Sequence, residues 1–127
     1  MNKIATFLVA VIALLHVYIA WFEMFAWESR GPKIFSSFPA DLFAQTTAMA
    51  ANQGLYNLFL AIGLIWSLVI SDTKWRANVA TVFLLFVAVA GVFGAATVSA
   101  KILVVQTVPA VAALVLIYLA KKRTDAN

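Results

Sequence analysis

The apolar surface of this chain comes in runs as long as a bilayer is thick, and that feature decides the fold class. A membrane helix needs about 20 apolar residues. Residues 4–27 form the first such run. A second reaches from Phe43 to Ile70 and is broken off by the polar stretch SDTKWRAN at 71–78. Residues 79–120 are then almost unbroken, with Lys101 and Gln106 as the strong polar interruptions. That length fits two spans and not one, so a turn is expected near Ser99 to Ile102, although no Gly or Pro marks it. The expected architecture is all-α: an antiparallel four-helix transmembrane bundle in one membrane domain, 1–127, with helices at about 4–27, 43–70, 79–100 and 102–120.

Composition agrees. The chain is 65% hydrophobic and 11% charged, where a soluble globular domain is about 25% charged. The formal charge of +4 would suggest nucleic acid in a soluble protein. Here the basic residues flank apolar runs, and no basic stripe with interleaved aromatics appears, so no nucleic-acid partner is expected. With no cysteine, disulfides, thiolate metal sites and cysteine nucleophiles are all excluded. Lys3 before an apolar stretch also fits a signal peptide, but the run is too long for that and lacks a small-x-small cleavage site, so a retained helix is expected.

Between the first two runs, 28–42 reads as a connection. Gly31-Pro32 suggests a turn. Phe35, Phe38 and Phe43, spread among Ser, Pro and Asp, suggest a Phe-rich loop lying at the membrane interface. Asp41 is placed to cap the second helix. With both termini on one side, that side holds Lys3, Lys74, Arg76, Lys121, Lys122 and Arg123, against Arg30, Lys33 and Lys101 on the other. Positive charge stays inside. The expectation is a multi-pass protein of the inner, cytoplasmic membrane with both termini cytoplasmic.

Depth locates the polar residues. At 1.5 Å per residue, His16 lies about 18 Å above Ile4, a little past the middle of a ~30 Å core. Glu23, seven residues on, shares its face near the outer boundary. Helix 2 enters from outside with NQGLYN at 52–57, whose Asn52, Gln53, Tyr56 and Asn57 form a polar stripe. Gly91, Gly94, Thr97 and Lys101 follow on one face of helix 3, where small residues permit close helix approach. Gln106 opens helix 4. Pro109 frees the Val105 carbonyl and is expected to kink that helix. All four helices thus carry polar groups in their outer halves. Lipid offers such groups no partner, so they are expected to converge as a cluster or a cavity open to the outer face.

Each group has a plain reading and a sharper one. Glu23 is either an interfacial acid reaching water or a buried acid able to hold or move a proton. His16, the single histidine, is either a structural hydrogen-bonder or one half of a proton shuttle with Glu23. Asn52, Gln53, Tyr56, Asn57 and Gln106 are either interhelical glue or ligand-binding groups. One His with no Cys and no second carboxylate at ligand spacing leaves no metal site, and no cofactor is expected. No nucleophile motif or phosphate loop is present.

The segments HVYIAWFEMFAW, NQGLYNLFLAIGL, AGVFGAATV and QTVPAVAAL resemble the signature blocks of the DUF1304 family, small membrane proteins of bacteria and fungi. The resemblance covers nearly the whole chain. It implies a four-helix membrane protein, puts His16, Glu23, Asn52, Gln53, Tyr56, Asn57 and Gln106 at motif positions, and implies no particular activity.

Three functions follow as expectations. The first is a cavity in the outer half of the bundle that binds a small polar or amphipathic, lipid-like ligand, with proton-transfer chemistry such as isomerisation or epimerisation. The second is a small-molecule transporter, against which the six-to-three charge bias and the long outer loop count. The third is a structural or accessory subunit whose polar groups fix helix register. Membrane lipid is the expected partner, and self-association is left open.

Overall fold

The computed structural model describes residues 1–125. Four helices are long and apolar enough to cross a membrane: α1 (Lys3–Phe25), α4 (Thr47–Val69), α5 (Thr73–Thr97) and the segment Leu103–Arg123, which includes most of α6 (Val108–Asp125). Two short helices, α2 (Trp27–Ile34) and α3 (Ala40–Gln45), fill the first connection. Among the described residues there is no strand. The four long helices run alternately up and down, and each packs on its sequence neighbours, with α6 closing the ring against α1. The outward faces carry large apolar residues such as Phe7, Leu14, Ile62, Val89 and Phe93, as a surface solvated by lipid tails requires.

The core divides by depth. The half holding the N-terminus is apolar, built from Ala5, Val9 and Ile12 of α1, Leu64 of α4, Leu84 and Val87 of α5, and Ala113 and Ile117 of α6. Ser67, fully buried there, satisfies its hydroxyl locally by donating to the Leu64 carbonyl at 2.6 Å. The other half contains His16, Glu23 and Asn57 and is roofed by α2 and α3.

Several boundaries differ from expectation. α5 starts at Thr73 rather than Val79, because Asp72 caps it: its carboxylate accepts from the Trp75 amide at 2.8 Å. The polar stretch 71–78 is therefore mostly first helical turns. α4 starts at Thr47 rather than Phe43, after a break at Thr46. Asp41 does not cap it. It sits in the first turn of α3, N-capped by Pro39, and accepts from Gln45 Nε2 at 3.2 Å.

Gly31-Pro32 is not a turn but lies inside α2. The glycine is required for another reason. It is buried, and a Cβ added there would overlap the Phe43 ring. Of the Phe-rich stretch, Phe43 enters an aromatic core, while Phe35 and Phe38 lie half-buried in the loop between α2 and α3. Phe43 is 1% exposed, its ring 5.1 Å from Trp27, which also meets Phe22 and Phe35. Trp27 Nε1 donates to Thr46 Oγ1 at 2.9 Å and Thr46 Oγ1 donates to the Leu42 carbonyl at 2.8 Å, which ties the roof to the start of α4.

The fourth span opens with a π-helical segment, Leu103–Thr107. Pro109 explains its place. An α-helix would need an N–H at 109 for the Val105 carbonyl, and proline has none. The backbone widens just before it: the Val108 N–H bonds the Leu103 carbonyl, five residues back. The widened turn pushes Thr107 onto α5, where its hydroxyl donates to the Ala88 carbonyl at 3.1 Å. Gly91 makes room, since a Cβ there would overlap Thr107 Oγ1.

Candidate functional site

The site is built on the seam between α1 and α4. Buried residues of α1 recur at 5, 9, 12, 16 and 20, and those of α4 at 50, 54, 57, 61 and 64. Steps of three and four put each set on one stripe, as in coiled-coil seams. The helices approach closely where Gly54 faces α1. A Cβ at 54 would lie 3.0 Å from the Ala20 carbonyl oxygen and 3.1 Å from Glu23 Cβ.

One turn further along α4, Asn57 Nδ2 donates to Glu23 Oε2 at 2.8 Å. The same amide group reaches its own helix at the Gln53 carbonyl, 3.3 Å away. Asn57 is 8% exposed and Glu23 is half-buried. This is a direct side-chain hydrogen bond between two spanning helices. A double-mutant cycle of Glu23→Ala and Asn57→Ala, read from reversible unfolding in detergent, should give a coupling of about 1 kcal/mol. A coupling indistinguishable from zero would mean that the two side chains do not pair.

His16 lies two turns deeper, about 10 Å along the axis from Glu23. It is 0% exposed. Its Nδ1 is 2.8 Å from the Ile12 carbonyl oxygen, a bond that puts the ring proton on Nδ1 and leaves Nε2 as an acceptor. Nε2 is buried and has no hydrogen-bond partner. The antiparallel register that sets Asn57 beside Glu23 brings Ala61 and Leu64 to the level of His16. Neither has a side-chain donor to offer.

The other residues selected from the sequence fall elsewhere. Asn52, Gln53 and Tyr56 are exposed, Tyr56 at 51%, so the NQGLYN stripe splits: Asn57 turns into the seam and the other three face outward. Gln106 is half-buried on the π-helical segment, its Cβ held against the Gly91 position on α5. It makes no hydrogen bond to Glu23 or Asn57. Thr97 is exposed and bonds its own helix at Phe93. The single polar cluster expected from depth is thus a smaller one on α1 and α4 with the remaining groups distributed around it. Among the described residues no three His, Cys, Asp or Glu side chains gather as a metal site would require. A cavity of about 600 Å³ opens at the opposite end of the bundle, where α1 and α5 begin and α6 ends.

Sequence reasoning overlooked Gly54 and Thr107. Gly54 carried a signal, because it lies between Asn57 and Ala50 on the stripe that must face Glu23. Thr107 carried none, since only the widened turn brings it to Ala88.

Fold and seam together define a small multi-pass membrane protein with a sparse polar interior. The family described as "Protein of unknown function (DUF1304)" matches residues 10–118, and the chain belongs to it. No curated protein and no solved structure matches.

Proposed function

We propose that this chain is a protein of the inner, cytoplasmic membrane, both termini inside, that binds a small polar or amphipathic, lipid-like molecule in the outer half of its bundle. His16 Nε2 is the group that meets the ligand's polar hydrogen. The observation that carries this reading is the unpartnered Nε2 itself. A buried acceptor without a donor costs about 1–3 kcal/mol, and a ligand hydroxyl, amine or acidic C–H would remove that cost. The distribution of basic residues supports the orientation, with six of nine at the end where α1 and α5 begin.

Proton transfer is the chemistry such a pair can perform. Nε2 takes a proton from the ligand and becomes imidazolium, Glu23 in its acid form gives a proton to a different ligand atom, and exchange with solvent then removes the imidazolium proton and reprotonates Glu23. The sum is an isomerisation, in which atoms and electrons balance without a co-reactant. Asn57 holds the Glu23 carboxyl in position.

The test begins with native mass spectrometry of protein purified in mild detergent, to find the bound molecule, followed by incubation in D2O. Deuterium should enter that molecule on the wild-type protein. Glu23→Gln keeps an oxygen for Asn57 to donate to, so it should fold and retain the molecule while exchange falls about 10²-fold or more. Exchange at the wild-type rate in Glu23→Gln removes Glu23 from the chemistry, and absence of any bound molecule removes the reading.

The close approach at Gly54 favours a second reading, in which Glu23–Asn57 is a register lock and no chemistry occurs. The same variant separates the two, because a lock alone gives no deuterium exchange to lose.

A further inference from the structure

We infer that the cavity at the N-terminal end of the bundle binds the phosphate-bearing headgroup of an anionic phospholipid. This site is separate from the α1–α4 seam and independent of the function proposed for it. The cavity measures about 600 Å³. Lys74 and Asn78 line it from α5, Lys121 and Ile117 from α6, and Asn2 from the start of α1. Lys74 and Lys121 are exposed, and among the described residues neither has an acidic partner. The acid nearest Lys74 in sequence, Asp72, turns a carboxylate oxygen to the Trp75 amide at 2.8 Å.

Two further features favour an anion. α1 and α5 both begin here, so the positive ends of two helix dipoles lie beside the cavity. The end of α6 presents the opposite dipole, but Lys122 and Arg123 stand in its last turn and answer it. Lys3 and Arg76 stand in the first turns of α1 and α5, Arg76 Nε donating to the Ile70 carbonyl at 2.8 Å.

Size and surroundings choose a lipid over a free ion. A lone phosphate would fill a small part of 600 Å³, whereas a glycerophosphate headgroup matches a cavity of several hundred Å³. The lining passes from lysine and amide to Ala77 and Ile117. Beyond it, this end of α1 exposes Ile4 and Phe7, and this end of α6 exposes Tyr118. A ligand with a charged head and two acyl chains meets both kinds of surface. Basic pockets between spanning helices recognise anionic headgroups in this way.

The experiment is competitive lipid retention on the whole protein, read by native mass spectrometry, with phosphatidylglycerol against phosphatidylcholine of the same chains. The wild type should favour phosphatidylglycerol by about tenfold, because each lysine near an anionic lipid contributes a several-fold preference. Lys74→Gln combined with Lys121→Gln should lose that preference, while Arg30→Gln combined with Lys33→Gln at the other end should keep it. Asn78→Trp fills the cavity without changing charge and should also reduce retention. Millimolar inorganic phosphate should not displace the lipid. The inference is overturned if the lysine variant keeps the preference or the distal variant loses it equally. It is overturned as well if Asn78→Trp has no effect, or if inorganic phosphate competes the lipid away.

Discussion

His16→Leu should make this protein more stable and empty its seam. The expected gain is about 1–2 kcal/mol in detergent unfolding, because the substitution removes a buried acceptor that has no donor. Little is lost with the ring. The Ile12 carbonyl that Nδ1 touches already accepts the backbone N–H of residue 16 within α1, so it is not left bare. Leucine fits the stripe, which is otherwise Val9, Ile12, Ala13 and Ala20, and lies beside the apolar half of the core. A molecule retained by the wild type should disappear from the variant. Residues that serve function at the expense of stability behave in this way. A variant that is less stable by several kcal/mol would show that Nε2 has a partner and that His16 is structural. A variant that keeps the bound molecule would place the binding site elsewhere.

The spans were legible because apolar length is a property of sequence alone. Three apolar runs, the third long enough for two spans, leave no other way to satisfy the backbone. The ends were less so. At Asp72 the polar stretch that reads as a turn is a cap followed by helix, and only the hydrogen bond to Trp75 tells which. At Gly31 the residue types of a turn serve a different need, the contact with Phe43. Composition cannot distinguish a glycine that bends the chain from one that lets an aromatic ring come close. Pro109 announced a disturbed helix four residues back, and the disturbance is there. Its form, a π-helical widening that carries Thr107 to Ala88, depends on a partner helix that periodicity does not see.

The site was half legible for a related reason. Depth and helical phase placed Glu23 and His16 on one inward face, and both are there. The same reasoning grouped Asn52, Gln53, Tyr56 and Asn57, but a stripe on one helix is wider than the seam it can enter. Asn52 is 140° and Tyr56 100° around the helix from Asn57, on about 100° per residue, which takes both off its face; Gln53 is only 40° away but is exposed, and Asn57 meets Glu23. Choosing it needs the register of α4 against α1, and that register is set by packing. His16 and Glu23 also do not hold each other. Each is bound from its own surroundings, Glu23 by Asn57 and His16 by the backbone of its own turn.

Gly54 sets that register, and Gly54→Leu should therefore be the most damaging single change in the seam. A Cβ at 54 would lie 3.0 Å from the Ala20 carbonyl oxygen, which belongs to the α1 backbone and cannot rotate away. Met24 Cγ, at 2.7 Å, can move because it is part of a flexible side chain. The oxygen can retreat only if α1 shifts as a body, and a shift there pulls Glu23 from Asn57. The expected loss is about 2–3 kcal/mol, together with the Glu23–Asn57 coupling. Gly94 is the internal control. A Cβ there meets only the Ile102 side chain, nearest at 3.1 Å, and a methyl can give way by a few tenths of an ångström. Gly94→Ala should be near neutral, since alanine also favours helix over glycine. Gly54→Ala should already be destabilising, because its one added carbon is the one that meets the carbonyl. Equal and small effects at the two positions would mean that α1 and α4 can slide past each other. The seam would then be a lubricated contact rather than a fixed frame for Glu23 and His16.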